Sequence, residues 1–305
     1  MRNARVGIIG MGWVGASVAI STLHAGIAEE LLLNDIRHKL AEGEALDLSH
    51  GSPFLPPCQV RAATFEELAE TDVIVVAAGR GGAAGGDRLK LLEGNVQIMR
   101  QIGAELRDYR GCVVVVTNPV DVMTWVLTEA SGLPPERVIG TGTMLDTSRL
   151  RQVLGRELKV ATSSVHAYVV GEHGNSQVPL FSCAEAGQRA LRTWEGWGGP
   201  EAESRIALEV RRAAFEIIER KGATNHAIGL VTASLLRSVL RNERRVMCVS
   251  RVQTGALGLE GVALSLPAIV GREGALEVVE PSLDASEREA LEASAEVLRA
   301  AQRSI

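Results

Sequence analysis

VGIIGMGWVGASVAI, residues 6–20, begins as a short apolar run, breaks on glycines, and resumes with small and apolar residues. Gly10, Gly12 and Gly15 have the spacing of a strand-to-helix turn that approaches a pyrophosphate. The first glycine permits the tight turn, the second admits the phosphates to the backbone, and the third lets helix pack on strand. A second apolar run, LLLND, ends at Asp35, twenty residues past Gly15. A carboxylate there accepts from ribose hydroxyls and repels a 2′-phosphate, so the expected cofactor is NAD rather than NADP. The basic MRNAR ahead of this run imitates an export signal, but Gly7, Gly10, Gly12 and Gly15 interrupt what would have to be an unbroken helix. A cytoplasmic setting is expected instead.

Outward from that turn, short apolar stretches alternate with helical patterns: ARVGIIG, LLLND, CQVRAAT, DVIVVAAG, CVVVVTN and RVIGTGT read as strands. Several are apolar nearly throughout, as strands covered on both faces are. Leu89, Leu92, Val96, Met99, Gly103 and Leu106 recur at three- and four-residue spacing and predict an amphipathic helix from Arg88 to Tyr109. The expected fold is α/β, with a Rossmann-type doubly wound parallel sheet over 1–141. From 142 to 305 the pattern loosens into helices mixed with strands such as VHAYVV and VALSLPAIV, an α+β substrate domain. The stretch from Trp194 to Pro200 reads as a surface loop.

Composition narrows the partners. At 305 residues, 46% hydrophobic, 23% charged and net charge −5, the chain has the balance of a globular protein with a sizeable core and lacks the basic block that nucleic acid or an anionic membrane would require. Cys58, Cys112, Cys183 and Cys248 form no C-x-x-C pair, so neither a zinc site nor a disulfide scaffold is expected.

Chemistry is carried by three further stretches. AAGRGGAAGGDRLKL, residues 77–91, has the glycine spacing of a P-loop at Gly81 and Gly86, but Asp87-Arg88 stand where Lys and Ser/Thr are needed. A plain flexible connection is the alternative to a lid, yet the run follows a buried strand on the edge of the sheet where such folds bind ligands, which favours a lid with Arg88 on its trailing edge. In LDTSRLR, Asp146 and Arg149 share a helix face, and in VVGEHGNSQV, His173 sits between a strand and a glycine. Separately, these read as a surface ion pair and an ordinary histidine. Together they supply a proton exchanger, a carboxylate to orient it and a guanidinium fork for an anion.

GMGWVG, TNPVDVMT, GTGTMLDTSRLR, HAYVVGEHGNSQV and KGATNHAIG, in this order along nearly the whole chain, resemble the L-lactate and malate dehydrogenase family. The resemblance implies that His173 is the acid/base, Asp146 its orienting carboxylate, Arg149 the grip on the substrate carboxylate, Arg88 the lid residue that polarises the carbonyl, and Asn118 a hydrogen-bond donor to the same oxygen. It implies reversible hydride transfer between NADH and a 2-keto acid, with no metal. An ungapped alignment puts Gly82 where lactate dehydrogenases resemble one another in Gln and malate dehydrogenases in Arg. Malate is therefore disfavoured unless Arg80 reaches the pocket. Thr224 matches the lactate-type members and makes pyruvate the leading substrate. The room at Gly82, with Asn175 in GEHGNSQ, resembles L-2-hydroxyisocaproate dehydrogenases, the first alternative. Arg151 and His166 match the positions where bacterial lactate dehydrogenases bind fructose 1,6-bisphosphate, which implies a homotetramer; a solvated Arg and an ordinary His are the other reading. A malate dehydrogenase with an atypical lid, an NAD-dependent glycosidase and a non-catalytic NAD-binding protein complete the alternatives. The face formed by Ile206, Val210, Ala214 and Ile217 is open to either core or subunit contact.

Overall fold

The structure is a computed structural model that describes residues 4–80 and 88–305, with the backbone alone for 88–91. Its first half is built from β1 (Arg5–Ile9), α1 (Trp13–Ala25), β2 (Glu30–Asn34), α2 (His38–His50), β3 (Gln59–Ala62), α3 (Phe65–Leu68), β4 (Val73–Val76), α4 (Arg88–Glu105), β5 (Cys112–Val115), α5 (Val120–Ser131) and β6 (Val138–Gly140). The six strands lie parallel in the order β3-β2-β1-β4-β5-β6. The order reverses between β1 and β4, which opens a crevice at their carboxyl ends. β4 and β5 are buried at every residue, because helices cover both faces of the sheet.

The second half continues with α6 (Met144–Leu158), β7 (Val165–Val170), β8 (Val178–Ala186), β9 (Arg189–Ala190), α7 (Gly199–Lys221), α8 (His226–Leu240), β10 (Arg245–Thr254), β11 (Glu260–Gly271), β12 (Gly274–Val278) and α9 (Ala285–Arg303). β10, β11 and β12 pair antiparallel and join the first sheet through Ser250 and Gly140, giving nine strands in one sheet. The mixed character of this half is as expected, but its longest strands extend the sheet of the first half. No local pattern in the sequence encodes that pairing. β7, β8 and β9 form a separate small sheet, tied to β11 by a bridge between Gly171 and Ser265.

Three departures from the sequence expectations have local causes. α4 stops at Glu105, four residues before Tyr109, whose ring turns inward so that its hydroxyl donates to the Thr71 carbonyl. Trp194 and Trp197 are only partly exposed and pack on the cluster formed by Leu150, Val169 and Phe181, so the loop is confined to 194–198 with an anchored floor, and Gly199 and Pro200 already begin α7. The α7 face divides: Ile206 and Val210 are core, whereas Phe215, Ile217 and Ile218 are exposed.

Candidate active site

The cradle after β1 is made of backbone. Gly10 has φ +96°, and a Cβ there would lie 2.4 Å from Ala78 N, so β1 can turn beside the end of β4 only with glycine. A Cβ at Gly15 would fall 1.9 Å from the Gly10 carbonyl oxygen. Around Gly12 no described atom lies within 4 Å of a Cβ position, and no side chain caps the N-terminus of α1. The first-turn amides therefore face an open seat suited to an anion.

Asp35, directly after β2, is buried; Oδ2 accepts from Met11 N at 2.8 Å and Oδ1 from Arg37 N at 2.9 Å. Arg37 Nε also donates to Oδ1, at 3.4 Å, so these bonds pin the glycine turn to the end of β2 and leave Oδ2 a lone pair for a ribose hydroxyl. The cradle fits a dinucleotide, with diphosphate at α1 and a ribose diol at Asp35.

Across the crevice, α6 carries Asp146 and Arg149, and His173 follows β7. α6 is stitched to β7 by Val169, whose N–H donates to Thr147 Oγ1 at 3.0 Å and whose carbonyl accepts from Thr143 Oγ1. Asp146 lies between those two threonines and His173 four residues past Val169, so the stitching brings them face to face. His173 Nδ1 is 2.5 Å from Asp146 Oδ2, and Arg149 Nη1 donates to Asp146 Oδ1 at 2.8 Å. The Asp146 and Arg149 side chains are 4% and 12% exposed, so this is a buried pair and no solvated surface contact.

Electrostatics assign the roles. Burial works against the Asp146 carboxylate, but His173 and Arg149 outweigh it and hold the carboxyl below its ordinary value. An ionised carboxylate only accepts, so Nδ1 carries the hydrogen and Nε2 is left as the nitrogen that gains and loses a proton. Burial likewise opposes the imidazolium; Asp146, with a smaller contribution from Asp121, overcomes burial and the nearby Arg149 and raises His173 above its ordinary value. His173 remains 25% exposed and so is reachable from the crevice. Among the described residues, Arg149 donates only to Asp146 through one nitrogen, leaving its other N–H groups for an anion.

The remaining expected residues are placed as follows. Asn118 is exposed just past β5, and its carbonyl accepts from Asn95 Nδ2 at 3.0 Å. Thr224 lies in the segment before α8, next to Asn225, which donates to Ser17 Oγ on α1 at 3.0 Å. Arg88 is the first residue of α4, but its side chain and Gly82 lie outside the described residues. The stem of Arg80 lies along α4, since a Cβ at Gly94 would be 3.2 Å from Arg80 Cδ. Arg151 Nε donates to Ala167 O at 2.9 Å with its guanidinium 5.2 Å from the Tyr168 ring centroid, on β7, while His166 is exposed.

Two residues carry more than their sequence context announced. Asn95, 3% exposed, accepts from Arg80 N at 2.7 Å and so joins the chain after β4 to the Asn118 turn. It sits between Leu92 and Met99 on the apolar stripe of α4, and a polar residue on such a stripe was the available signal. Asp121, on a helix otherwise buried among apolar neighbours, accepts from His173 N at 2.7 Å. A lone acid inside VDVMTWVL was the signal there.

A dinucleotide cradle facing a buried histidine–carboxylate–guanidinium group defines an NAD-dependent oxidoreductase. The model of the lactate/malate dehydrogenase NAD-binding domain matches residues 4–140, and that of the lactate/malate dehydrogenase α/β C-terminal domain matches residues 143–304. An L-lactate dehydrogenase of Thermus aquaticus is 44% identical over 303 residues, covering 97% of this chain and 98% of the relative. One from Gloeobacter violaceus is 43% identical over 298 residues, 96% and 90% of the two chains. The crystal structure of the ligand-bound minor L-lactate dehydrogenase of Enterococcus mundtii superposes with a TM-score of 0.96 at 35% identity, covering 99% of this chain and 98% of that one. The chain belongs to the lactate/malate dehydrogenase family, whose members act on small 2-keto and 2-hydroxy acids.

Proposed function

We propose that the protein is an L-lactate dehydrogenase that interconverts pyruvate and L-lactate. The observation that carries this is the buried His173–Asp146–Arg149 group beside a dinucleotide cradle. Gly10, Gly12, Gly15 and Asp35 would hold NADH, which would supply the hydride. Arg149 takes the substrate carboxylate on its remaining N–H groups and fixes the keto carbon's position. Protonated His173 gives its Nε2 proton to the carbonyl oxygen as negative charge develops there, and Asp146 stabilises the imidazolium beforehand. Arg88 and the side chain of Asn118 are assigned to the same oxygen, where donors are worth most in the transition state. Thr224 and Gly82 are assigned, by the resemblance alone, to the substrate's methyl end. In the reverse direction, neutral His173 takes the hydroxyl proton of lactate.

The position of Arg80 along α4 supports a monocarboxylic substrate over malate. The division into a cofactor domain over 1–141 and a substrate domain over 142–305 belongs to the same proposal, as does a cytoplasmic location; among the described residues no helix is long and apolar enough to cross a membrane. A homotetramer with a fructose 1,6-bisphosphate site at Arg151 and His166 is supported by the exposure of His166 and by the exposed apolar side chains of α7, while Arg151 is half-buried against Tyr168. Following NADH absorbance with pyruvate, 2-ketoisocaproate and oxaloacetate, each with and without fructose 1,6-bisphosphate, tests the whole. Pyruvate is expected to be preferred and the sugar bisphosphate to activate; preference for oxaloacetate or 2-ketoisocaproate overturns the substrate assignment, and indifference to the bisphosphate removes the effector.

A further inference from the structure

Arg80 and Gly94 account for one another. α4 carries glycines at 94 and 103, and a glycine within a helix is destabilising relative to alanine, so each asks for a reason. For Gly103 the reason is the neighbouring helix, because a Cβ there would lie 2.6 Å from Ala130 Cβ on α5. Gly94 differs. Among the described residues, the three atoms nearest its Cβ position all belong to the Arg80 side chain: Cδ at 3.2 Å, Nε at 3.4 Å and Nη1 at 3.5 Å. Gly94 is buried while Arg80 is exposed, which follows if the arginine stem lies across the glycine as a cover.

The root of that side chain is held separately. Thr117 Oγ1 donates to the Ala78 carbonyl at 2.7 Å. Asn95, 3% exposed, accepts from Arg80 N at 2.7 Å and directs its Nδ2 to the carbonyls of Arg80 at 3.5 Å and of Asn118 at 3.0 Å. One amide nitrogen thus reaches both chains, which puts the Arg80 backbone beside the turn that carries Asn118. With the backbone fixed, only the side-chain torsions choose a direction: back along α4 over Gly94, or forward past Asn118 toward the substrate. Direction decides chemistry. Arg149 serves one carboxylate, so a 2-keto acid with a second carboxylate at its far end needs another cation, and a guanidinium seated on α4 supplies none. Any side chain at 94 would compete with Arg80 for its seat.

We infer that Gly94 is a specificity-determining residue: by lacking a side chain it seats Arg80 on α4, which keeps a second guanidinium out of the substrate pocket and the enzyme on monocarboxylic keto acids. Asn95 fixes the root from which that side chain departs. This rests on the 2-keto acid reaction proposed above and deepens it by placing part of the substrate choice on a glycine of α4.

The test compares wild type, Gly94→Gln, Arg80→Ala and the double variant as full-length proteins. Glutamine is a good helix former, so Gly94→Gln is expected to fold as stably as wild type while its side chain fills the seat. Two readouts are used: kcat/KM for oxaloacetate relative to pyruvate, and, without turnover, the affinity of the NADH complex for hydroxymalonate relative to oxamate, by cofactor fluorescence. Gly94→Gln is expected to raise both ratios by roughly tenfold to a hundredfold, the range for one charge-assisted hydrogen bond. Arg80→Ala and the double variant are expected to keep the wild-type ratios, because the gain needs the guanidinium. Unchanged ratios in Gly94→Gln, or a rise that survives in the double variant, overturn the inference. A fall in Arg80→Ala does so too, since it puts the guanidinium in the pocket already. A wild type inactive on both keto acids sinks the proposed function alone, because the binding ratio still reports whether releasing Arg80 admits a second carboxylate. Should Gly94→Gln fail to fold, Gly94→Ala decides: its Cβ displaces Arg80 by less, a smaller Arg80-dependent rise is expected, and no rise overturns the inference.

Discussion

The cofactor cradle and the acid/base site lie on one edge of the same sheet, yet they are made differently. The cradle is backbone: Gly10, Gly12 and Gly15 are neighbours in sequence and act by lacking side chains. The acid/base site is side chain: Asp121, Asp146, Arg149 and His173 come from α5, α6 and the segment after β7 and act by touching one another. A site made of absent atoms tolerates no addition. A site made of paired charges tolerates no subtraction, and substitutions should therefore damage the two regions in opposite ways.

The largest effect is expected at His173. His173→Gln should lower turnover by about 10³-fold, the middle of the range for a general acid, while NAD affinity by fluorescence titration and thermal stability stay near wild type. Loss of NAD affinity there would erase the separation between the regions. In the wild type, keto-acid reduction needs the protonated ring, so it should persist below the raised His173 value and decline as pH rises through it; hydroxy-acid oxidation should show the mirror-image profile. A keto-acid limb that rises with pH would break the assignment.

Gly10→Ala comes next. Its Cβ would overlap Ala78 backbone at 2.4 Å in a left-handed conformation, so thermal unfolding and NAD titration should both report losses, about 3 kcal/mol or more of stability. An intact Tm would mean that the turn is not the tight one described.

Arg149→Lys keeps the charge but not the fork, and leaves Asp146 with a weaker partner. It should reduce kcat/KM for pyruvate by roughly 10²-fold with NAD affinity unchanged. An equal loss with lysine and with glutamine would confine the role of Arg149 to its geometry.

Asp121→Asn sharpens the comparison at the smallest scale, because there a charge is removed and stability should not fall. A carboxyl raised from 3.8 to about 6 on folding contributes stability below its unfolded value and loses it as pH rises through 6. The variant should match wild type below pH ~4 and exceed it at neutral pH by roughly 1–3 kcal/mol in urea unfolding. The opposite sign holds for Asp146, whose lowered value contributes stability at neutral pH that is lost on acidification.

How much could be read in advance follows the same division. Gly10, Gly12, Gly15 and Asp35 were legible because a turn's dihedrals and a following strand are local consequences of residue type and spacing. Asp146 and Arg149 were legible as a pair through helical periodicity, but periodicity could not say whether their face is solvated; the structure buries it under β7. His173 was one of six histidines until α6 was stitched to β7 through Val169. Asp121 and Asn95 were passed over because each is a polar residue inside an apolar pattern, and only their partners, the His173 N–H and the Asn118 carbonyl, distinguish a site residue from an exception.

The sequence by itself determined the parallel sheet order's ingredients, the dinucleotide turn with its acid, and the family, since each resides in contiguous residues whose backbone preferences are set within a few positions. Tertiary structure alone decided that β10–β12 extend the first sheet, that Arg80 lies against α4, and that two carboxylates share one histidine. These depend on long-range packing and on burial, which turns modest surface charges into strong partners by removing the water between them.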